Sequence, residues 1–144
     1  MTYAAKQDLL DRYGEADLLR VASQAGDAAA LDDDRIARAI ADAVALVDLH
    51  VRARYAVPLD PVPAEILSVT CALARYALYE NAVSVPDQVK AGRDNAMAVL
   101  ASIRDGDSTL DSAPASDSSA AAIEQLPELA GDDPVMTADK LKAW

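Results

Sequence analysis

Residues 34–55, DRIARAIADAVALVDLHVRARY, run without a Gly or Pro and then break into Ala56-Val57-Pro58-Leu59. Ile36, Ile40, Val44, Val47, Val51 and Tyr55 recur at steps of three and four, which places them on one stripe of an amphipathic helix. Asp32, Asp33 and Asp34 supply N-cap candidates and negative charge for the first turn, and Arg52 and Arg54 sit where the helix dipole favours cations. The pattern predicts a long helix from Asp34 to Tyr55, a proline-rich hinge, and a second helix beyond it. Tyr55, Pro58, Pro61 and Pro63 are the hinge residues, expected to fix the angle between the two helices.

Outward from this unit the chain stays helical. Leu9, Leu10 and Tyr13 predict a short helix closed by Gly14, and Ala16 to Ala25 another closed by Gly26. After the hinge, Pro61 and Pro63 are expected in the first turn of the next helix, where a missing N–H costs little. That helix carries Ile66, Leu67, Val69, Leu73, Ala74, Ala77 and Leu78, apolar on more than one face, so it is expected at the centre. Ser84 and Asp87 have capping-box spacing before a last helix with Val89, Ala96, Val99, Leu100 and Ile103, ending at Asp105-Gly106. The fold class is therefore all-α, a compact bundle of four to five helices followed by a long C-terminal tail.

Composition divides the chain of 144 residues into three parts. Residues 1–104 read as the helical domain, with 15 acids against 11 bases; residues 105–144 hold 9 acids against 2 bases, and so carry most of the net charge of −11. Residues 105–122 are rich in Ser, Ala and Asp and read as a flexible acidic spacer, because they offer too little apolar surface to offset ordering entropy. Residues 123–144 regain apolar character. Val135, Met136, Leu141 and Trp144, the last being the only Trp, make this segment a docking arm in expectation, since Trp is enriched at binding hot spots.

The same composition excludes several functions. A net charge of −11 is opposed to binding nucleic-acid phosphates through a basic face. The residues Met1 to Asp8 lack the apolar core of a signal peptide, and no apolar run approaches the roughly 18 residues of a membrane span, so a cytosolic protein is expected. The single Cys71 lies in an apolar helix and reads as buried and inert. His50, the only histidine, lacks activating partners at motif spacing, although Cys71 or Asp48 would be needed for a dyad. Asp27 and Asp32 to Asp34 lack the alternating ligands, central Gly and terminal Glu of a calcium loop, and helix capping explains them better. The five glycines are isolated, so no phosphate loop exists. Arg35, Arg38, Arg52, Arg54 and Arg75 are spread among acids, most of them expected on solvated faces or in intersubunit pairs. No catalytic, cofactor-binding or metal-binding set emerges, and a non-enzyme is expected.

The opening residues 3–15, the hinge from Ala53 to Leu59 with Pro63, the segment Cys71-Ala72-Leu73-Ala74-Arg75-Tyr76, and the ending Thr137 to Trp144 together resemble the Mu-like prophage neck protein family. Related chains often carry Phe where this one has Tyr13 and Trp144. The resemblance implies a head–tail connector, or adaptor, of a tailed phage. Such a protein assembles in the host cytoplasm, as a ring of typically twelve copies, under the portal protein. It extends the DNA channel without binding DNA specifically, and offers a platform to a downstream neck, stopper or tail protein. The alternative left by the residues themselves is an acidic all-α regulatory module of the antitoxin or anti-sigma type.

Overall fold

A computed structural model describes residues 2–111, which form five helices and one short hairpin. In chain order these are α1 (Lys6–Tyr13), α2 (Glu15–Ala22), β1 (Ser23–Gln24), β2 (Asp27–Leu31), α3 (Asp33–Val51), α4 (Ala64–Tyr79) and α5 (Asp87–Asp105). The all-α class holds, with the antiparallel β1–β2 pair as a small addition. α4 lies at the centre, packed between α3 and α5, with Ile66, Val69, Thr70, Cys71, Leu73, Ala74, Leu78 and Tyr79 buried. The fully buried Thr70 hydroxyl donates to the carbonyl of Ile66 at 2.7 Å, so that polar group is satisfied within the helix.

α3 follows its predicted stripe. Ile36, Ile40, Val47, Val51 and Tyr55 are buried, while Val44 is half-buried and packs against the core. Asp32 is the N-cap: its carboxylate accepts from the backbone N–H of Arg35 at 3.0 Å, satisfying a donor that has no carbonyl in the first turn. The helix ends at Val51, four residues before Tyr55, as Arg54 and Tyr55 both donate to the Val51 carbonyl and the chain turns away.

Three local expectations are corrected. The helix expected to run to Ala25 stops at Ala22, because Ser23 is extended and pairs with Leu31 across the hairpin. Gly26, at φ 91°, serves the hairpin turn and does not cap a helix. Pro61 lies outside α4 and Pro63 is its N-cap, with Ala64 the first helical residue. A residue that precedes proline is driven to extended geometry, so Val62 cannot join the helix. The same effect moves the start of α5: Pro86 is the N-cap, no side chain caps the helix, and Ser84 is exposed without the expected capping bond.

The expected end at Asp105-Gly106 is found. Gly106 at φ 89° donates to Ile103, and Asp107 donates to Ser102 at 2.9 Å, the paired bonds of a Schellman cap. Beyond the cap the chain returns to the body, where Leu110 is buried within the stretch read as spacer. Val135, Met136, Leu141 and Trp144 of the expected docking arm lie outside the described residues.

Candidate functional site

The hinge between α3 and α4 is held through two tyrosine hydroxyls, one from the N-terminal segment and one from the hinge itself. Tyr3, 3% exposed, donates its phenol proton to the carboxylate of Asp48 on α3 and accepts the backbone N–H of Leu59 at 3.1 Å. One hydroxyl therefore ties the N-terminal segment, the last turns of α3 and the middle of the hinge. Burial, and then the bond to Asp48, push the Tyr3 phenol up to about 12, since ionisation would strip the donor and set two negative charges together. The second staple is Tyr55, whose phenol oxygen accepts the N–H of Leu110 at 2.9 Å. Leu59 is fully buried and Pro63 is buried, whereas Pro58 and Pro61 face solvent. The peptide bonds Val57–Pro58 and Asp60–Pro61 are cis.

A second cluster ties α2 to α4. Arg75 Nε lies 2.9 Å from the Asp17 carboxylate, the Tyr79 hydroxyl donates to the other oxygen at 2.6 Å, and the guanidinium stacks 4.4 Å over the Tyr13 ring. Burial alone would raise the Asp17 carboxyl, but donation from Arg75 and Tyr79 holds it below its ordinary value. Arg75 was expected on a solvated face or between subunits; instead it is half-buried in an intrachain network, with its planar fork on a carboxylate and its face on an aromatic ring. Sequence periodicity carries no signal for that pairing, because Asp17 and Arg75 are 58 positions apart.

The groups considered for chemistry are occupied structurally. Cys71 is fully buried, and burial raises its thiol, which disfavours the reactive thiolate. His50 Nδ1 lies 2.9 Å from the Leu46 carbonyl; that oxygen only accepts, so Nδ1 carries the proton and no dyad with Asp48 or Cys71 is assembled. Asp33 pairs with Lys6 at 2.5 Å, Asp32 caps α3, and Asp27 accepts from Ala29 in the hairpin turn. No cluster of three metal-ligating side chains occurs among the described residues.

What remains open is surface. A trough runs along α4 and α5: one part, of about 380 Å3, is lined by Pro63, Val99, Ile103 and Leu110, and an adjoining one, of about 180 Å3, by Val69, Ala72, Gly92 and Val99. Val99 is 40% exposed on the rim they share, because α4 covers only the Val89–Ala96–Leu100–Ile103 side of α5.

A helical body whose hinge is stapled by Tyr3 and Tyr55, and which offers grooves and helix faces, defines a small all-α module. The sequence profile of the family described as Bacteriophage Mu, Gp36 matches residues 3–126, and the chain belongs to that family. It is 30% identical over 107 residues to the Mu-like prophage FluMu protein gp36 of Haemophilus influenzae, covering 72% of each chain. It is 32% identical over 107 residues to Gene product J of Escherichia phage Mu, covering 74% of each. This is accordingly a protein of a Mu-like phage family, and no helix of the described residues is long and apolar enough to cross a membrane.

Proposed function

We propose that the protein is a non-enzymatic structural component of the virion neck: a head–tail connector whose copies form a ring beneath the portal and extend the DNA channel. The observation that carries this reading is membership of the Mu Gp36 family by a chain whose hinge is tied at Tyr55 and at Leu59 by buried hydrogen bonds. A connector transmits position from one ring to the next, and that needs a body whose helices keep their angle under load. The Tyr3 and Tyr55 staples supply such fixity without metal or disulfide. The net charge of −11 suits a conduit that must release the genome, because like charge repels DNA and does not retain it.

The test is a particle assay. A phage lacking this protein should accumulate filled or partly filled heads and separate tails, and complementation should restore joined particles that contain the protein at the neck by immunogold labelling. Joined, infectious particles in its absence would refute the connector role.

A further inference from the structure

Among the described residues, the solvent face of α3 is left uncovered over its whole length. Asp34, Ala37, Arg38, Ala41, Ala45, Leu49 and Arg52 lie opposite the buried stripe, and Leu49 is 53% exposed in the last turn of the helix, where a polar residue would cost nothing. Asp34, Ala37, Arg38 and Ala41 enclose an open dent of about 440 Å3, with the i, i+3, i+4, i+7 spacing of a hole that receives a side chain from a facing helix. Among the described residues, neither Asp34 nor Arg38 nor Arg52 forms an ion pair.

The charges have an order. Asp34 opens the face and Arg52 closes it, with Arg38, Leu49 and three alanines between. Two copies laid parallel would oppose Asp34 to Asp34 and Arg52 to Arg52. Laid antiparallel about a two-fold through the middle of the helix, they bring Asp34 opposite Arg52 of the second copy and Ala41 opposite its Ala45. Leu49 then reaches the turn of the second copy that carries Ala37 and Arg38. Asp34 and Arg52 are 18 residues apart, about 27 Å at 1.5 Å per residue, so two charge pairs bracket the contact at its two ends. Alanines at the crossing permit the closest helix approach, about 8 Å between axes.

We infer that the free protein self-associates as an antiparallel two-fold dimer through the exposed face of α3. A two-fold contact is closed and does not propagate, so this is a pairing of the free chain, independent of the ring contact. One helix pair covers less than the roughly 1,200 Å2 of a stable specific interface, so the dimer is weak, with Kd on the order of 100 μM.

The test is sedimentation velocity on the full chain from about 10 μM to about 1 mM, a range that brackets this Kd. The expected result is a reversible monomer–dimer equilibrium with no larger species. Asp34→Arg and Arg52→Asp, each placing like charges opposite, should raise Kd at least about tenfold, and the double variant Asp34→Arg/Arg52→Asp should return it to within about threefold. Ala41→Glu, which crowds the crossing, should abolish pairing with the helical circular dichroism unchanged, since all three positions are exposed. A monomer across the whole range, a dimer indifferent to these changes, single variants that do not recover in the double, or open-ended oligomers would each overturn the inference. None of these results bears on the particle assay.

Discussion

Tyr3→Phe removes one oxygen atom and tests whether the hinge is energetically tied to the N-terminus. The phenol serves two partners: the Leu59 N–H, which is buried, and the Asp48 carboxylate, which is partly buried. Phe retains the ring packing, so the cost is that of the orphaned groups. Leaving a buried donor without a partner costs about 1–3 kcal/mol. Asp48 regains water and contributes little of this, which sets the expected loss near 2 kcal/mol. Urea denaturation followed by circular dichroism at 222 nm reads it directly. With a slope of about 1.5 kcal/mol/M for a body of this size, the midpoint should fall by about 1.3 M with the slope unchanged. The same variant should lose a pH effect. A phenol whose folded value is raised to about 12 contributes stability that is fully present below its unfolded value, near 10, and is lost as pH rises toward 12. Wild type should therefore weaken over that alkaline window more than Tyr3→Phe does. A midpoint within about 0.3 M of wild type, together with parallel alkaline limbs, would show that the staple carries no energy.

Further expectations follow from individual contacts. Leu73→Ala, at a 5% exposed position on the central helix, should lose about 2–5 kcal/mol in the same urea assay, as a cavity opens between α4 and its neighbours. Gly106→Ala should cost about 1–2 kcal/mol, because φ is 89° and the added Cβ would run into the Arg54 guanidinium. Asp17→Asn should flatten the acid limb of the stability profile: the depressed Asp17 carboxyl contributes stability present above its unfolded value, near 3.9, and lost as pH falls through its lower folded value. If wild type and Asp17→Asn lose stability in parallel below pH of about 4, the Arg75–Tyr79 cage around Asp17 is without energetic effect.

Elements whose formation depends on local periodicity were legible in the sequence. The α3 stripe, the central position of α4, the Gly14 and Gly106 terminations and the Asp32 cap all follow from spacing of three and four or from a residue's own backbone preference. Boundaries next to proline were misplaced, because the steric effect acts on the residue before it: Val62 and Val85 are barred from the helix and the caps fall on Pro63 and Pro86. The β1–β2 hairpin was missed because Asp27 to Leu31 is mostly alanine, which has no strand preference, so only the pairing across Gly26 makes it extended. The polar framework of the hinge was not legible at all. Tyr3 meets Leu59 across 56 positions and Tyr55 meets Leu110 across 55, and tyrosine at such positions reads as one more apolar residue until the fold brings its hydroxyl to a backbone N–H.

That invisibility bears on the proposed neck role. Apolar packing alone sets helix angles loosely, since aliphatic side chains exchange rotamers and tolerate sliding, whereas a hydrogen bond to a buried backbone N–H has one distance and one direction. In this body the apolar core gives cohesion, and three polar groups give angle: Tyr3 at the front of the hinge, Tyr55 behind it, and the Asp17–Arg75–Tyr79 cluster across α2 and α4. Pro58, exposed between the staples at Tyr55 and Leu59, then faces solvent on a segment held on both sides, and the exposed Pro61 follows it. A connector ring needs each copy to present its surfaces at the same angle as the next, because an angular error repeated around a ring prevents closure. The staples are therefore where a ring-forming role would be most sensitive to mutation. Tyr3→Phe, at a temperature where the body remains folded, should reduce joined particles in the phage complementation assay more than Leu49→Ala does on the open face of α3; equal yields from the two variants would separate hinge angle from assembly.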